Sequence, residues 1–309
     1  MTTISGPLIY TQRVLEHDGG ELAKYVQFMT MPLFYQALVV ESTTRCNAKC
    51  AMCYQSAGPK GSDVLGAATL ETEDLARLLL EAAEIESICP RFHLSGGEAF
   101  LDINSCLQLF RVARTVGFLD ITTTTNAYWG LREKRAKCIA SQAREAGLTG
   151  VEISWDIWHL PYIDPMAVGN CIRACREVEI EVNLRLLSTK THTYQEALQL
   201  LPDEAVSQAN RITCGPVFPT GRASMTIPPS EFHVLSDSNL EGNCHSLLNL
   251  TVNPLGDVYP CCAGLDHTGA RLFGNIRQQP LASIVASMNS SPLLRTLVLG
   301  GGVLAAFDS

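Results

Sequence analysis

From Leu38 onward, short apolar or β-branched runs alternate with longer stretches whose apolar residues recur at helical spacing. The runs are Leu38–Thr43, Arg91–Ser95, Leu119–Thr125, Gly150–Trp155, Glu179–Leu187 and Ala209–Cys214. Between them the pattern predicts helices over Glu71–Glu84, Asn104–Val116, Glu133–Ala146, Pro165–Val178 and Thr193–Leu201. Strands alternating with helices of this length predict parallel βα units, six in this chain, and hence an α/β fold.

The rhythm stops near Pro216-Val217-Phe218-Pro219. Beyond it lie Pro228-Pro229, a Ser/Asp/Asn-rich stretch over 236–243, and a hairpin pattern in which Asn249–Val252 and Val258–Tyr259 flank the turn at Gly256. A domain boundary is expected at 215–225. That divides the chain into an extension over 1–37 without strong periodicity, a core over 38–220, and a small region over 221–309. The last ten residues, from Gly300, are mostly glycine and apolar, and the region is expected to be shortened there.

At 309 residues, 46% hydrophobic and 17% charged, the chain has material for a large core and the balance of an ordinary globular protein. A net charge of −8 argues against a nucleic-acid-binding surface. The N-terminus lacks the basic and apolar segments of a secretory signal, and no apolar run reaches membrane-spanning length. The expectation is a cytoplasmic protein with no membrane partner. In a reducing compartment, twelve cysteines more often bind metal than pair with one another.

Three of them carry the chemistry. Cys46, Cys50 and Cys53 follow the first predicted strand at spacings of four and three. Such a trio grips three irons of a cubane cluster and leaves the fourth open, because full ligation takes four thiolates. An open coordination position marks a metal site that binds something else. A zinc knuckle is the competing reading, but three cysteines without a nearby histidine fall short of the four ligands zinc takes.

The loop resembles that of the radical S-adenosylmethionine (SAM) superfamily, whose pattern at this place is Cys-x3-Cys-x2-Cys. The family commonly has an aromatic residue before the third cysteine; here Met52 stands there and Tyr54 follows. Gly96-Gly97-Glu98, at the end of the second predicted strand, matches the Gly-Gly-Glu that the family uses to hold the SAM amino group. Two glycines allow close backbone approach, and a carboxylate accepts from an ammonium group. The resemblance further implies that Asn126, Ser154, Asp156 and Arg185, at later strand ends, bind the ribose and carboxylate of SAM. Capping of the following helix is the alternative for Asn126 and Asp156. The fold implied is a partial (β/α)6 barrel resembling a TIM barrel, with active-site groups at strand C-termini.

A second cysteine set lies in the C-terminal region. Cys244 is followed by eleven residues, Gly256, four more residues and Cys261, so a turn at Gly256 folds Cys261 back toward Cys244. The spacing resembles the opening of SPASM and twitch auxiliary-cluster domains, which implies that Cys244 and Cys261 ligate a second iron–sulfur cluster. Cys214 is the nearest further candidate ligand, and a buried structural pair is the alternative. Cys262 adjoins Cys261, and adjacent residues of an extended segment point to opposite sides. Cys89, Cys106, Cys138, Cys171 and Cys175 read as packing residues, and His159 is left between a substrate contact and a strand end.

The stretches Leu94–Asp102, Thr125–Gly130, Ser154–His159 and Tyr259–Cys262 together resemble radical SAM epimerases of ribosomally made peptides. That resemblance implies a [4Fe–4S] cluster, SAM, an electron donor such as flavodoxin or ferredoxin, and a peptide substrate. It implies L-to-D inversion, with Cys262 as the hydrogen donor after removal of a Cα hydrogen; a small buried thiol is the alternative for Cys262. Thioether or carbon–carbon crosslinking of a peptide is the rival within the same chemistry. A non-catalytic iron–sulfur or zinc-binding protein is the rival outside it.

Overall fold

Alternation along the strands explains both faces of the sheet. The computed structural model describes residues 26, 28–234, 248–261 and 272–299. Six parallel strands, β1 (Ala37–Glu41), β2 (Arg91–Ser95), β3 (Asp120–Thr125), β4 (Gly150–Ser154), β5 (Glu181–Ser188) and β6 (Arg211–Pro216), lie side by side in chain order. In β5, Val182, Leu184 and Leu186 are fully buried, whereas Asn183, Arg185 and Leu187 on the other face are half-buried. The buried face is covered by α1 (Thr72–Ala83), α2 (Ile103–Thr115), α3 (Glu133–Ala146) and α4 (Pro165–Glu177), the crossover helices that parallel strands require. Short helices α5 (Tyr194–Gln199) and α6 (Asp203–Val206) lead into β6, and α7 (Ala223–Thr226) follows it.

One large apolar core fills the space between sheet and helices, with Phe92, Phe100, Phe110, Trp129 and Trp155 at its centre. Both indoles satisfy their N–H inside it: Trp129 Nε1 donates to Thr125 Oγ1 at 3.1 Å and Trp155 Nε1 to the Ala197 carbonyl at 2.8 Å.

The sheet continues past β1. β7 (Asn249–Val252) pairs with β1 in parallel, with Leu38 opposite Leu250. β8 (Asp257–Tyr259) then returns antiparallel to β7 across the Gly256 turn, and β9 (Gly274–Asn275) pairs antiparallel with β8. The hairpin pattern around Gly256 is therefore present. What periodicity does not predict is its attachment, which gives one open nine-stranded sheet of order β6-β5-β4-β3-β2-β1-β7-β8-β9. Helices α8 (Leu281–Asn289) and α9 (Pro292–Leu299) follow, and Arg295 of α9 donates to the Phe28 and Met31 carbonyls.

Of the N-terminal extension, residues 1–25 and 27 lie outside the described residues, as do the polar stretch at 236–243 and the tail from Gly300. Leu33 and Tyr35, within the segment without period, are core residues. Among the described residues, no helix is long and apolar enough to cross a membrane.

Candidate cluster and cofactor site

A cavity of about 480 Å³ opens on the polar face of the sheet at the strand C-termini, a size within the range of small-molecule sites. Cys46, Cys50 and Cys53 line one wall. Gly96, Gly97, Asn126, Ser154, Arg185 and Cys261 are among the other lining residues. Ser154 and Arg185 are register partners on β4 and β5, so a hydroxyl and a guanidinium stand side by side there. Among the described residues, Arg185 makes no side-chain hydrogen bond or ion pair within the protein.

The cysteine loop leaves β1 at Glu41 and is tied to itself by backbone bonds. Thr44 N donates to the Ala68 carbonyl at 2.9 Å and Cys46 N to the Gly58 carbonyl at 2.9 Å. The double-glycine turn locks it from the other side: Glu98 N donates to the Arg45 carbonyl at 2.9 Å, and Gly97 N to Gln55 Oε1 at 2.7 Å. Gly97 has φ +30°, and a Cβ there would lie 2.0 Å from the Arg45 oxygen, so only glycine fits.

Burial pushes the Cys46 thiol up, and the nearby Glu98 carboxylate and the other two thiols push it further. Burial is also the main cause for Cys53, with Arg222 acting in the opposite sense. Thiols of this kind ionise when a cation takes the proton's place, which couples metal loading to proton release. Among the described residues, no three His, Cys, Asp or Glu side chains converge on a single-ion site. Three thiols on one wall of the cavity can offer one ligand to each of three irons of a cluster, whereas zinc takes four ligands. The Gln55 amide nitrogen and Ser56 hydroxyl are buried beside them without a partner, and Gln55 lines the cavity. The donor set and these orphaned groups fit a bound [4Fe–4S] cluster and its ligand.

Not every expected contact faces the cavity. Glu98 sits behind the wall, where its carboxylate accepts from Thr125 Oγ1 at 2.8 Å, Asn126 N at 2.7 Å and Phe100 N at 3.2 Å. Burial raises its pKa to about 7 against these bonds. Asp156 is likewise buried and accepts from Trp158 N and from His159 Nδ1 at 2.9 Å. It is His159 that reaches the cavity, next to Cys50. Burial disfavours a charged imidazole there, but the Asp156 carboxylate and the Cys50 thiol outweigh it and raise the His159 pKa. Asn126 bridges to the loop, its Nδ2 donating to Asn47 Oδ1 at 2.9 Å and lying 3.6 Å from Cys46 Sγ.

Of the second cysteine set, Cys261 is buried and lines the cavity, while Cys244 and Cys262 lie outside the described residues. Cys214 is exposed on β6. Among the cysteines read as packing residues, Cys106, Cys171 and Cys175 are buried, Cys89 is half-buried and Cys138 is exposed. Two residues that motif reading missed are Gln55 and Arg222. A lone arginine between Gly221 and the small residues after it was the signal for the second.

Residues 244–297 match the SPASM family, an iron–sulfur cluster-binding domain. The chain is 24% identical over 264 residues to the putative peptide biosynthesis protein YydG of Bacillus subtilis (strain 168), covering 85% of this chain and 80% of that protein. The fold is similar to that of anSMEcpe solved with bound AdoMet, in two structures with TM-scores of 0.57 and 0.56 at 15% identity. Those matches cover 86% and 88% of this chain, and 88% and 89% of the other. A three-cysteine loop at the C-terminal ends of parallel βα strands, followed by a region that matches the SPASM family, supports the reading of this chain as a radical SAM enzyme that uses a [4Fe–4S] cluster and SAM.

Proposed function

We propose that the protein inverts an L-residue to its D-form in a ribosomally made peptide. The similarity to a peptide biosynthesis protein over most of both chains supports the substrate class. The observation that carries the reading is the meeting of two cysteine-bearing segments at one cavity: the trio from the β1 loop and Cys261 from the end of β8. When bound, the cluster and SAM would supply the one-electron chemistry that removes a Cα hydrogen.

The remaining work falls to the chain. Arg185 and Ser154 offer a cation and a hydroxyl for the SAM carboxylate, and the Gly96-Gly97 backbone allows close approach of the amino group. Asn126 orients the loop against the ligand. Glu98 and Asp156 act from behind, through Asn126 and His159. By the epimerase resemblance, Cys244 and Cys261 would hold the auxiliary iron and Cys262 would be the hydrogen donor. Its S–H bond breaks as a C–H bond forms at the substrate Cα on the opposite face. The thiyl radical is returned to thiol by one proton and one electron from a flavodoxin- or ferredoxin-class donor.

The test is turnover of candidate precursor peptides in heavy water by reconstituted protein. Epimerisation adds one deuterium and changes no other mass, and C262A forms 5′-deoxyadenosine without a D-residue. A product two hydrogens lighter supports crosslinking, and failure to form 5′-deoxyadenosine on reduction with dithionite rejects the enzyme reading. Iron counting separates the two sites: about eight irons in the native chain, about four in the C46A/C50A/C53A variant.

A further inference from the structure

The cysteine loop is anchored from more than 160 residues away. Arg222, 4% exposed, sends its guanidinium beneath the loop. Its Nη1 donates to the Cys50 carbonyl at 2.9 Å, and its Nη2 to the Ser56 carbonyl and to the Ala57 carbonyl at 2.7 Å. Nε pairs with Asp63 Oδ2 at 2.8 Å. The backbone joins in, because Arg222 N donates to the Cys53 carbonyl at 3.0 Å. Thr226 Oγ1 adds a bond of 2.9 Å to the Ala51 carbonyl. Two of the three ligand residues are thus held by their own carbonyl oxygens.

The preceding residue makes this approach feasible. Gly221 has φ +56°, and a Cβ there would sit 1.9 Å from the Tyr54 carbonyl oxygen. The segment before it, with Val217, Phe218 and Thr220, lines the cavity. A fork of five donors suits a ring of carbonyls in a way an ammonium does not. The same group also brings charge. Lys49 and Arg222 share one carboxylate, Asp63, with Lys49 Nζ at 3.0 Å, so the loop's underside keeps a positive excess.

We propose that Arg222 is the positioning residue of the [4Fe–4S] loop, shaping it through the carbonyl fork and raising the cluster's reduction potential through its charge. Cluster potentials respond to nearby net charge, and a cation stabilises the reduced, more negative state. Asp63 then acts with the opposite sign. The inference rests on the cluster alone and stands whether or not the peptide reading holds.

The experiment is a potentiometric titration of reconstituted full-length protein, following the electron paramagnetic resonance signal that responds to added SAM. R222Q shifts the oxidised-to-reduced ratio about tenfold toward oxidised, or about 59 mV downward for one electron. D63N, at a half-exposed site, shifts it upward. R222K keeps the potential but speeds hydrogen exchange across residues 50–57, as R222Q also does. A purely structural role would move R222Q and D63N in the same direction. That result, or an unchanged potential in D63N, overturns the proposal, and D63N decides alone if R222Q does not take up the cluster.

Discussion

The body of the barrel and the cysteine loop are held by different forces. The body rests on one continuous apolar core running from Leu33 to Val298, whose strands contribute alternate residues to the helix-covered face. The loop packs in a separate small cluster of Cys46, Ala48, Cys50, Met52 and Ala57 against Val217, Ala223 and Ile227. Its shape is set by polar anchors on backbone carbonyls, chiefly at Arg45, Cys50, Cys53 and Ala57. A large core tolerates local loss because stability is spread over many contacts. A loop fixed by a few directed bonds has an all-or-none geometry. The site of chemistry is therefore the part whose loss leaves the rest of the fold standing.

The sharpest break between the regions is G97A. A Cβ driven into the Arg45 carbonyl displaces the loop, so iron at the first site falls to near zero while far-ultraviolet circular dichroism stays native. Phe110 in α2 is fully buried in the body, and F110A costs roughly 3–5 kcal/mol by denaturant unfolding. That loss lowers the global transition without selective loss of first-site iron.

Glu98 joins the two regions and gives a pH signature. Its pKa rises from 4.5 in the unfolded chain to about 7 in the fold, mainly through burial. The folded state holds the extra proton between those values, so Glu98 favours the fold below 4.5. That contribution is lost as pH rises through 7, by roughly 3 kcal/mol at most. E98Q flattens this fall, and an unchanged slope in urea titrations from pH 4.5 to 7.5 counts against it. The smallest effect is expected far from the loop, at the capping box of α5. T193A there costs about 1 kcal/mol and leaves iron content unaltered.

The body was legible because its period is mechanical. The second strand and the third helix fall on the expected residues, Arg91–Ser95 and Glu133–Ala146, and other boundaries shift by one or two positions. The trio and the glycine turn were legible because their spacing is local. That Glu98 and Asp156 are buried against Asn126 and His159 was not legible, since those partners are set by packing. Arg222 escaped notice for a similar reason: its acceptors are carbonyl groups, which carry no sequence identity. Nor does any period announce that β7 lies beside β1.

That last pairing governs how the molecule can be taken apart. β1 is an interior strand only because β7 flanks it. A chain ended after Pro216 would expose a bare ladder of amides and carbonyls immediately upstream of Cys46, an invitation to intermolecular strand exchange. Dissection of the two proposed iron centres by truncation would consequently report on aggregation, and single substitutions are the cleaner scalpel.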